Sequence, residues 1–316
     1  MSAAPASLVA DIGATHARFC WADDRGLAGT PAHLPTRDYA SSEALLDEAL
    51  VRLEPREPVA AAVAIAGPVA EGEGRITNGR LCFDAAAISR RLGCPATLLN
   101  DFHAVARALP DLEQLMQIGG VEPRPGVKAV LGPGSGLGMG LLAPLGGGWH
   151  VLASEGGHGD LAPGSPLEAE ILAVLQMAHG HVCWETVLSG PGLVRLYGAV
   201  CRIWGAEPEE STAERISARG VQAEDPVCHQ TLEVFFSLLG AAAGNLALTV
   251  WARGGVYLAG GILPALADFA ARSPLRRRFD ERGAMTEAVR DIPLYLILDD
   301  APGLKGALAC LRDRTG

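Results

Sequence analysis

Runs of apolar residues separated by polar turns predict alternating strands and helices from the start of the chain. Residues 7–12 form an apolar strand pattern, followed by a turn at 13–15 and an alternating strand back. Ser41 and Ser42 precede an amphipathic helical pattern at 44–53. The run VAAAVAIAG at 59–67 is continuously apolar, which is typical of a strand covered on both faces. This alternation predicts an α/β fold.

The rest of the chain continues the same alternation. Further strands are expected at 75–83, at 96–99, on both sides of a glycine turn within 128–143, and in the segments 254–259 and 291–300. Helices are expected after Asp84, after the capping box Ser165-Pro166-Leu167-Glu168 with a stop at Gly180, after the box Ser211-x-x-Glu214 with a stop at Gly220, from Asp225-Pro226 through Trp251, after Gly260-Gly261, and at 304–313.

One predicted helix raises the question of a membrane span. VFFSLLGAAAGNLALTVWA, at 234–252, carries no charge and is long enough to cross a bilayer. It also contains two glycines, a serine, an asparagine and a threonine, so its mean apolarity is modest. We interpret it as a core helix packed through small residues, and we expect no membrane association. The N-terminal residues lack the basic region of a signal peptide.

Composition narrows the function classes. A chain of 316 residues forms one large domain or two of ordinary size. Its net charge of −10 argues against nucleic-acid binding, which needs a basic face. Lys128 and Lys305 are the only lysines, and no Gly-x-x-x-x-Gly-Lys stretch exists, so phosphate binding must work without a P-loop lysine. Seven cysteines without a Cys-x-x-Cys pair suit reduced thiols in the cytoplasm.

Three glycine turns are candidates for binding a nucleotide. Asp11 ends a strand beside Gly13 and Thr15, where it could anchor phosphate or a Mg²⁺-bound water, or belong to an ordinary turn. The loop 132–138 has four glycines between two strands, which favours a phosphate clamp or an unliganded hairpin equally. Gly260-Gly261 could lie against a nucleotide or be a tight turn. None of these matches the Gly-x-Gly-x-x-Gly spacing of a Rossmann site.

A second set of residues suits a ligand with hydroxyl groups. Asn100 and Asp101 stand where a buried strand meets a helix, so Asp101 could accept a proton from an attacking hydroxyl. Glu155 and His158 crowd a glycine-rich loop that could serve a metal, acid–base chemistry or hydroxyl binding. Glu185 lies near a turn and is expected to be exposed.

Three further residues near that loop could bind a metal together with it. The stretch His179-x-His181-x-Cys183 offers nitrogen and sulfur ligands, and Asp160 lies in the loop itself. However, the two histidines flank Gly180 at a helix end, where the helix dipole favours them. We prefer this second interpretation.

Several motifs, taken in order, resemble one known family over nearly the whole chain. The chain resembles the bacterial glucokinases of the ATP-dependent hexokinase superfamily in ADIGATHARF, LLNDFHAVA, LGPGSGLG, SEGGHGDLAP, ETVLSGPGLVRLY, GNLALTVWARGGVYLAGGILP and DIPLYLILDDAPGL. The resemblance implies a duplicated actin-like (ribonuclease H-like) α/β fold with two domains around a central cleft. A small α/β domain would span 1–110 and be completed by the C-terminal helix at about 300–316. A large α+β domain would span 111–299.

The resemblance also implies an activity and its residues. The expected reaction is ATP- and Mg²⁺-dependent phosphorylation of D-glucose at O6, the first step of glycolysis, by a cytoplasmic homodimer. Asp101 would be the general base, and Asn100, Asp101, Glu155, His158 and Glu185 would bind the sugar. Phosphates would lie on the stretch Ala10, Asp11, Ile12, Gly13, Ala14 and Thr15 and on Gly134, Ser135 and Gly136, with adenosine at Gly260 and Gly261. No side chain would bind metal directly, although Asp11 could hold a Mg²⁺-bound water.

Two residues depart from the family pattern, and other functions stay open. Members usually have Gly-Gly-Thr-Asn where this chain has Gly13-Ala14-Thr15-His16, so Ala14 would be strained if that position required positive φ. His16 leaves the phosphoryl donor open. Alternatives are a kinase for another hexose or an amino sugar, and a non-catalytic sugar sensor. Sensors usually carry a preceding helix-turn-helix, for which Asp11 comes too early, and zinc is not expected because no Cys-x-Cys cluster is present.

Overall fold

The structure, a computed structural model, describes residues 6–315, with side chains over 6–313. Its strands are β1 (Ala6–Ile12), β2 (His16–Asp23), β3 (Gly26–Pro35), β4 (Pro58–Ile65), β5 (Val69–Ala70), β6 (Glu73–Arg75), β7 (Cys82–Asp84), β8 (Ala96–Asn100), β9 (Leu115–Gln117), β10 (Lys128–Pro133), β11 (Leu137–Leu145), β12 (Gly148–Ser154), β13 (Val256–Leu258) and β14 (Leu294–Ile297).

The α-helices lie mainly in the second half of the chain. They are α1 (Ser42–Arg52), α2 (Ala85–Leu92), α3 (Asp101–Ala108), α4 (Pro166–His179), α5 (Trp184–Val187), α6 (Gly190–Trp204), α7 (Ala213–Val221), α8 (Pro226–Val250), α9 (Ala267–Arg272), α10 (Leu275–Asp280), α11 (Thr286–Arg290) and α12 (Pro302–Thr315). The described residues divide into two compact units. The first comprises 6–113, 149–152 and 299–315, and the second comprises 114–148 and 153–298.

The first unit is built on a five-stranded sheet in the order β3-β2-β1-β4-β8. Strands β1, β4 and β8 are parallel, whereas β2 runs antiparallel to both of its neighbours, β1 and β3. Alternate residues of β1 face opposite sides: Leu8 packs in the cluster that contains Leu45 of α1, and Val9 packs in the cluster that contains Leu304 of α12. Because side chains alternate along a strand, Asp11 lies on the same face as Val9, toward α12.

The second sheet has the order β12-β11-β10-β13-β14-β9, with β10, β13 and β14 parallel. The long helix α8 belongs to the hydrophobic core of the second unit, where residues such as Phe235, Phe236 and Leu239 are fully buried. By length and composition α8 could cross a membrane, but two thirds of its most apolar window is buried inside the protein. The interpretation of this segment as a core helix is confirmed.

Several predicted boundaries are confirmed, because their signals are local. Ser41, Asp84, Ser165 and Asp225 each accept a backbone N–H bond at the start of the expected helix. The helix after Ser165 ends at Gly180, as predicted.

Other boundaries were wrong. Residues 75–83 are not one strand: β6 and β7 pair as a hairpin around the turn at Asn78-Gly79, which is a strong turn signal. Thr212, rather than Ser211, caps α7, and that helix continues one residue past Gly220.

Two further expectations were only partly right. After Gly260-Gly261 a 3₁₀ turn precedes α9. Glu168 does not close its capping box but accepts hydrogen bonds from Gly164 N–H and the Ser237 hydroxyl instead.

Candidate functional site

Asn100 and Asp101 lie at the junction of β8 and α3, and hydrogen bonds fix both side chains. Asn100 Oδ1 accepts the His103 N–H at 3.0 Å, so it caps α3. Its Nδ2 donates to the Gly67 carbonyl and to Asp101 Oδ1, each at 3.1 Å. Asp101 Oδ1 also accepts the Phe102 N–H at 2.9 Å. Two donors therefore orient the half-buried Asp101 carboxylate.

The bonds of Asn100 limit what else its side chain can do. A side-chain amide has two N–H hydrogens and two acceptor lone pairs. Both hydrogens are used by Gly67 and Asp101, and one lone pair is used by His103. One acceptor position of the Asn100 amide is left for a ligand. Sequence reasoning missed the capping role, although asparagine just before a helical pattern is a standard N-cap signal.

Asp11 stands at the end of β1, two strands away from Asp101 in the same sheet. Its side chain is 22% exposed, and the Arg18 guanidinium of β2 lies 3.9 Å from its carboxylate. Burial raises the pKa of Asp11 above its ordinary value, and the attraction of Arg18 opposes this only in part. Because β1 and β8 both flank β4 and run parallel to it, Asp11 and Asp101 lie at the same edge of the sheet.

The turn after Asp11 differs from what its glycine suggested. The Gly13 N–H donates to the His16 carbonyl at 2.9 Å, so this amide closes the turn. The backbone of Ala14 is not in the left-handed region, so the expected strain at this position is absent. Among residues 6–315, neither the Ala14 N–H nor the Thr15 N–H donates a hydrogen bond. These two amides, rather than that of Gly13, are the donors that the turn offers to an anion.

The same turn fits a hydrated magnesium ion better than a fully protein-bound metal. Within the described part of the chain, no three His, Cys, Asp or Glu side chains are grouped as metal ligands. Magnesium keeps several of its waters and is commonly held through one or two carboxylates together with substrate phosphates. A single partly exposed carboxylate at Asp11 beside the donors of Ala14 and Thr15 suits that mode.

In the second unit, the two other glycine segments lie together. The Gly134 carbonyl accepts the N–H of Gly190, the first residue of α6, at 2.8 Å. Gly260 has φ +110° and contacts the Pro133 carbonyl so closely that a side chain would overlap it. A methyl group built at Gly190 would lie 4.0 Å from Cδ1 of Ile262, next to Gly261. The structure thus brings 134–136 and 260–261 together, with Ser135 exposed.

Glu185 is not the exposed residue that the sequence suggested. It is half-buried in the short helix α5, and its Oε2 accepts the Leu137 N–H at 2.8 Å. A side chain at Gly136 would overlap this carboxylate. A side chain at Gly136 would therefore displace the Glu185 carboxylate, which holds one end of the predicted phosphate loop.

Glu155 and His158 lie beside the same strand end. Both are exposed: Glu155 precedes the 3₁₀ turn Gly156–His158 that follows β12, and His158 ends it. Gly157 is packed on the Leu137 carbonyl, and the Gly159 carbonyl accepts the N–H of Trp184 in α5 at 3.0 Å. The structure therefore gathers Glu155, His158 and Glu185 around Leu137.

The remaining acid and histidines do not join this group. Asp160 Oδ1 lies 2.7 Å from His181 Nε2, and both side chains are largely exposed. His179 is exposed at the last position of α4, which confirms the predicted helix end. Cys183 caps α5 and contacts the Thr186 hydroxyl.

Comparisons with known proteins give one consistent result. A family model described as glucokinase matches residues 8–314. The chain is 43% identical over 310 residues to a glucokinase of Chromobacterium violaceum, covering 97% of this chain and 89% of that one. It is 40% identical over 305 residues to a glucokinase of Nitrobacter hamburgensis, covering 95% of each. The crystal structure of a glucokinase from an Antarctic psychrotroph superposes with a TM-score of 0.84 at 35% identity, covering 98% and 99%. The predicted resemblance and the actin-like fold class are confirmed.

Proposed function

Because the chain belongs to the glucokinase family, we propose that it transfers the γ-phosphoryl group of ATP to O6 of D-glucose, giving glucose 6-phosphate and ADP. The observation that carries this proposal is the Asp101 carboxylate, which is oriented by Asn100 and Phe102 at the end of a buried parallel strand. This is where a phosphoryl-transfer enzyme needs a base for its acceptor hydroxyl. We place the activity in the cytoplasm, at the first step of glycolysis, in a homodimer.

The proposed mechanism gives Asp101 one proton to move. As O6 attacks the γ-phosphorus, its proton passes to the Asp101 carboxylate, and the bond to the ADP oxygen breaks. Asn100 keeps the carboxylate turned toward the hydroxyl through its bond to Oδ1. Phosphoryl transfer depends mainly on positioning and on neutralising charge, so this orientation matters as much as basicity.

The donor groups of the two turns would bind the nucleotide. The N–H groups of Ala14 and Thr15 and the loop at 134–136 would contact phosphate oxygens, with adenosine against 260–261. Mg²⁺ bound with ATP would supply positive charge to the phosphates. Asp11 would hold one of the waters bound to Mg²⁺. His16 follows Thr15, whose N–H would contact a phosphate oxygen, so His16 would influence which phosphoryl donor is preferred.

The sugar hydroxyls would be bound by Glu155, His158 and Glu185 together with Asn100. Glu185 already uses Oε2 to hold Leu137, so its other oxygen would accept from the sugar. We propose that residues 1–110 with about 300–316 act as the small domain and 111–299 as the large one. A kinase for another hexose or an amino sugar uses the same groups, so substrate choice must be measured.

The deciding experiment measures ADP release from Mg-ATP with glucose, mannose, fructose, glucosamine and N-acetylglucosamine. We expect kcat/KM for glucose to exceed that for every other sugar. If kcat/KM were higher for another sugar, that sugar rather than glucose would be the preferred substrate. Glucose binding without formation of glucose 6-phosphate, with ATP and with polyphosphate as donors, would overturn the kinase proposal in favour of a sugar sensor.

A further inference from the structure

The C-terminal helix α12 has two glycines in its first turns, at positions 303 and 306. Residues three apart lie on one face of a helix. Neither glycine has the positive φ that would require glycine. Glycine is less favourable than alanine in a helix, and at both positions the structure shows a contact that opposes a side chain.

At Gly306 the contact is with the helix that carries Asp101. A methyl group built at 306 would overlap the carbonyl oxygen of Ala104 and come 3.0 Å from its Cα. Ala104 lies three residues after Asp101 in α3, within the same helical turn. Helices α3 and α12 can therefore pack at their observed distance only if residue 306 has no side chain.

At Gly303 the contact is with Asp11 itself. A methyl group built at 303 would come 2.5 Å from both Cγ and Oδ2 of Asp11. Real Cβ contacts are not this short, so the carboxylate would have to move. The side chain of Asp11 therefore rests directly against the backbone of the first turn of α12.

We propose that α12 positions both functional carboxylates of the first unit, with Gly306 setting the place of Asp101 through α3 and Gly303 setting the place of Asp11. This inference rests on the proposed function for the roles of the two carboxylates. The two glycines are positioning residues: neither carries a side chain that could touch a substrate. Their effects are separable, because one bears on proton transfer and the other on the nucleotide and its metal.

The test compares Gly303→Ala and Gly306→Ala with the control Gly198→Ala. Gly198 lies inside helix α6, and a methyl group at this position would have no atom within 4 Å, so the change only improves helix propensity. We expect Gly306→Ala to lower kcat by about 100-fold, as a small displacement of a reacting group does, with a much smaller change in glucose Kd. We expect Gly303→Ala to raise the Kd of Mg-ADP roughly tenfold, without changing glucose Kd. Gly198→Ala should keep all three values.

If Gly306→Ala fails to fold, a double-mutant cycle still tests the role of Gly303. In an Asp11→Ala background no carboxylate opposes the new methyl group, so Gly303→Ala should have no further effect on Mg-ADP binding. An equal effect in both backgrounds would overturn the role of Gly303. If Gly303→Ala and Gly306→Ala fold and match Gly198→Ala in kcat and Mg-ADP Kd, the whole inference is wrong. A wild-type chain that turns over no sugar would instead refute the proposed function, and the binding cycle would still decide the role of Gly303.

Discussion

Asp101 and Asp11 lie at the same edge of one sheet, but the protein holds them in different ways. Asp101 accepts two N–H bonds on one oxygen, one from Asn100 and one from its neighbour Phe102. Asp11 has a guanidinium 3.9 Å away and the bare backbone of Gly303 beside it. One carboxylate is oriented by donors, and the other is confined by packing.

This difference suits the two proposed roles. A general base must point at one hydroxyl, so fixed donors on its other side are useful. A buried carboxylate that holds the water of a metal needs a positive charge beside it. In the free protein Arg18 supplies this charge only in part, so the effect of burial prevails and the pKa of Asp11 is raised. The folded free protein should thus be less stable with Asp11 ionised than with Asp11 protonated.

Removing the base should have the largest effect. Asp101→Asn keeps the shape of the side chain and removes its ability to take a proton. We expect kcat to fall roughly a thousandfold, within the usual range for losing a general base, while glucose binding is retained. Steady-state ADP release and glucose titration would measure both. The exposed Asp24→Asn serves as a control, and a near-normal kcat in Asp101→Asn would exclude Asp101 as the base.

Removing the orienting donor should have a smaller effect on turnover. Asn100→Ala leaves the base but deletes its bond to Asp101 and the cap of α3. We expect kcat to fall by up to about 100-fold, because the base is no longer aimed. The lost cap should also lower the free energy of unfolding by about 1 kcal/mol.

Ser41→Ala separates these two consequences. Ser41 caps α1 through a 3.2 Å bond from Ala44 N–H and is remote in sequence from the proposed site. It should lose a similar free energy of unfolding, by about 1 kcal/mol, and keep its kcat. If both variants lose turnover in proportion to stability, Asn100 acts only as a cap.

Asp11 should show the opposite balance between stability and function. Asp11→Asn cannot ionise, so we expect a higher Tm for the free protein at pH 7 together with weaker Mg-ADP binding. Since burial raises the folded pKa above 3.8, the unfolded state loses its proton first as pH rises, and folding becomes less favourable through that interval. The gap in Tm should therefore be absent below about pH 3.8, widen up to the folded pKa and then stay constant. A lower Tm for the variant at pH 7 would mean that Arg18 outweighs burial.

The sequence predicted those features whose cause is local. The caps at Asp84 and Asp225 and the core helix α8 follow from residues within a few positions of each other. The failure at 75–83 was also local, because the Asn78-Gly79 turn signal was overlooked. The bond of Glu185 could not be foreseen, since its partner Leu137 is 48 residues away. Gly303 contacts Asp11 and Gly306 contacts Ala104, both far away in the sequence. Such long-range contacts produce no periodic pattern that sequence reasoning can detect.

The smallest effect is expected from breaking the ion pair between Arg107 and Asp313, which joins α3 to α12 near their C-terminal ends. Arg107 binds Asp313 through two hydrogen bonds, at 2.6 and 2.8 Å, and thereby lowers the pKa of Asp313. Since Asp313 is 45% exposed, solvent screening should limit the loss in Asp313→Asn to about 0.5 kcal/mol of unfolding free energy. The lowered pKa means that this stabilisation is present above about pH 3.8 and is lost as pH falls through the folded value. Urea unfolding at pH 7 and over a series of decreasing pH values would measure it, with Asp47→Asn, whose pair with Arg91 is more exposed, as the control. A loss that stays the same at every pH would show that Asp313 acts through packing, and that Gly306 alone does not determine how α3 meets α12.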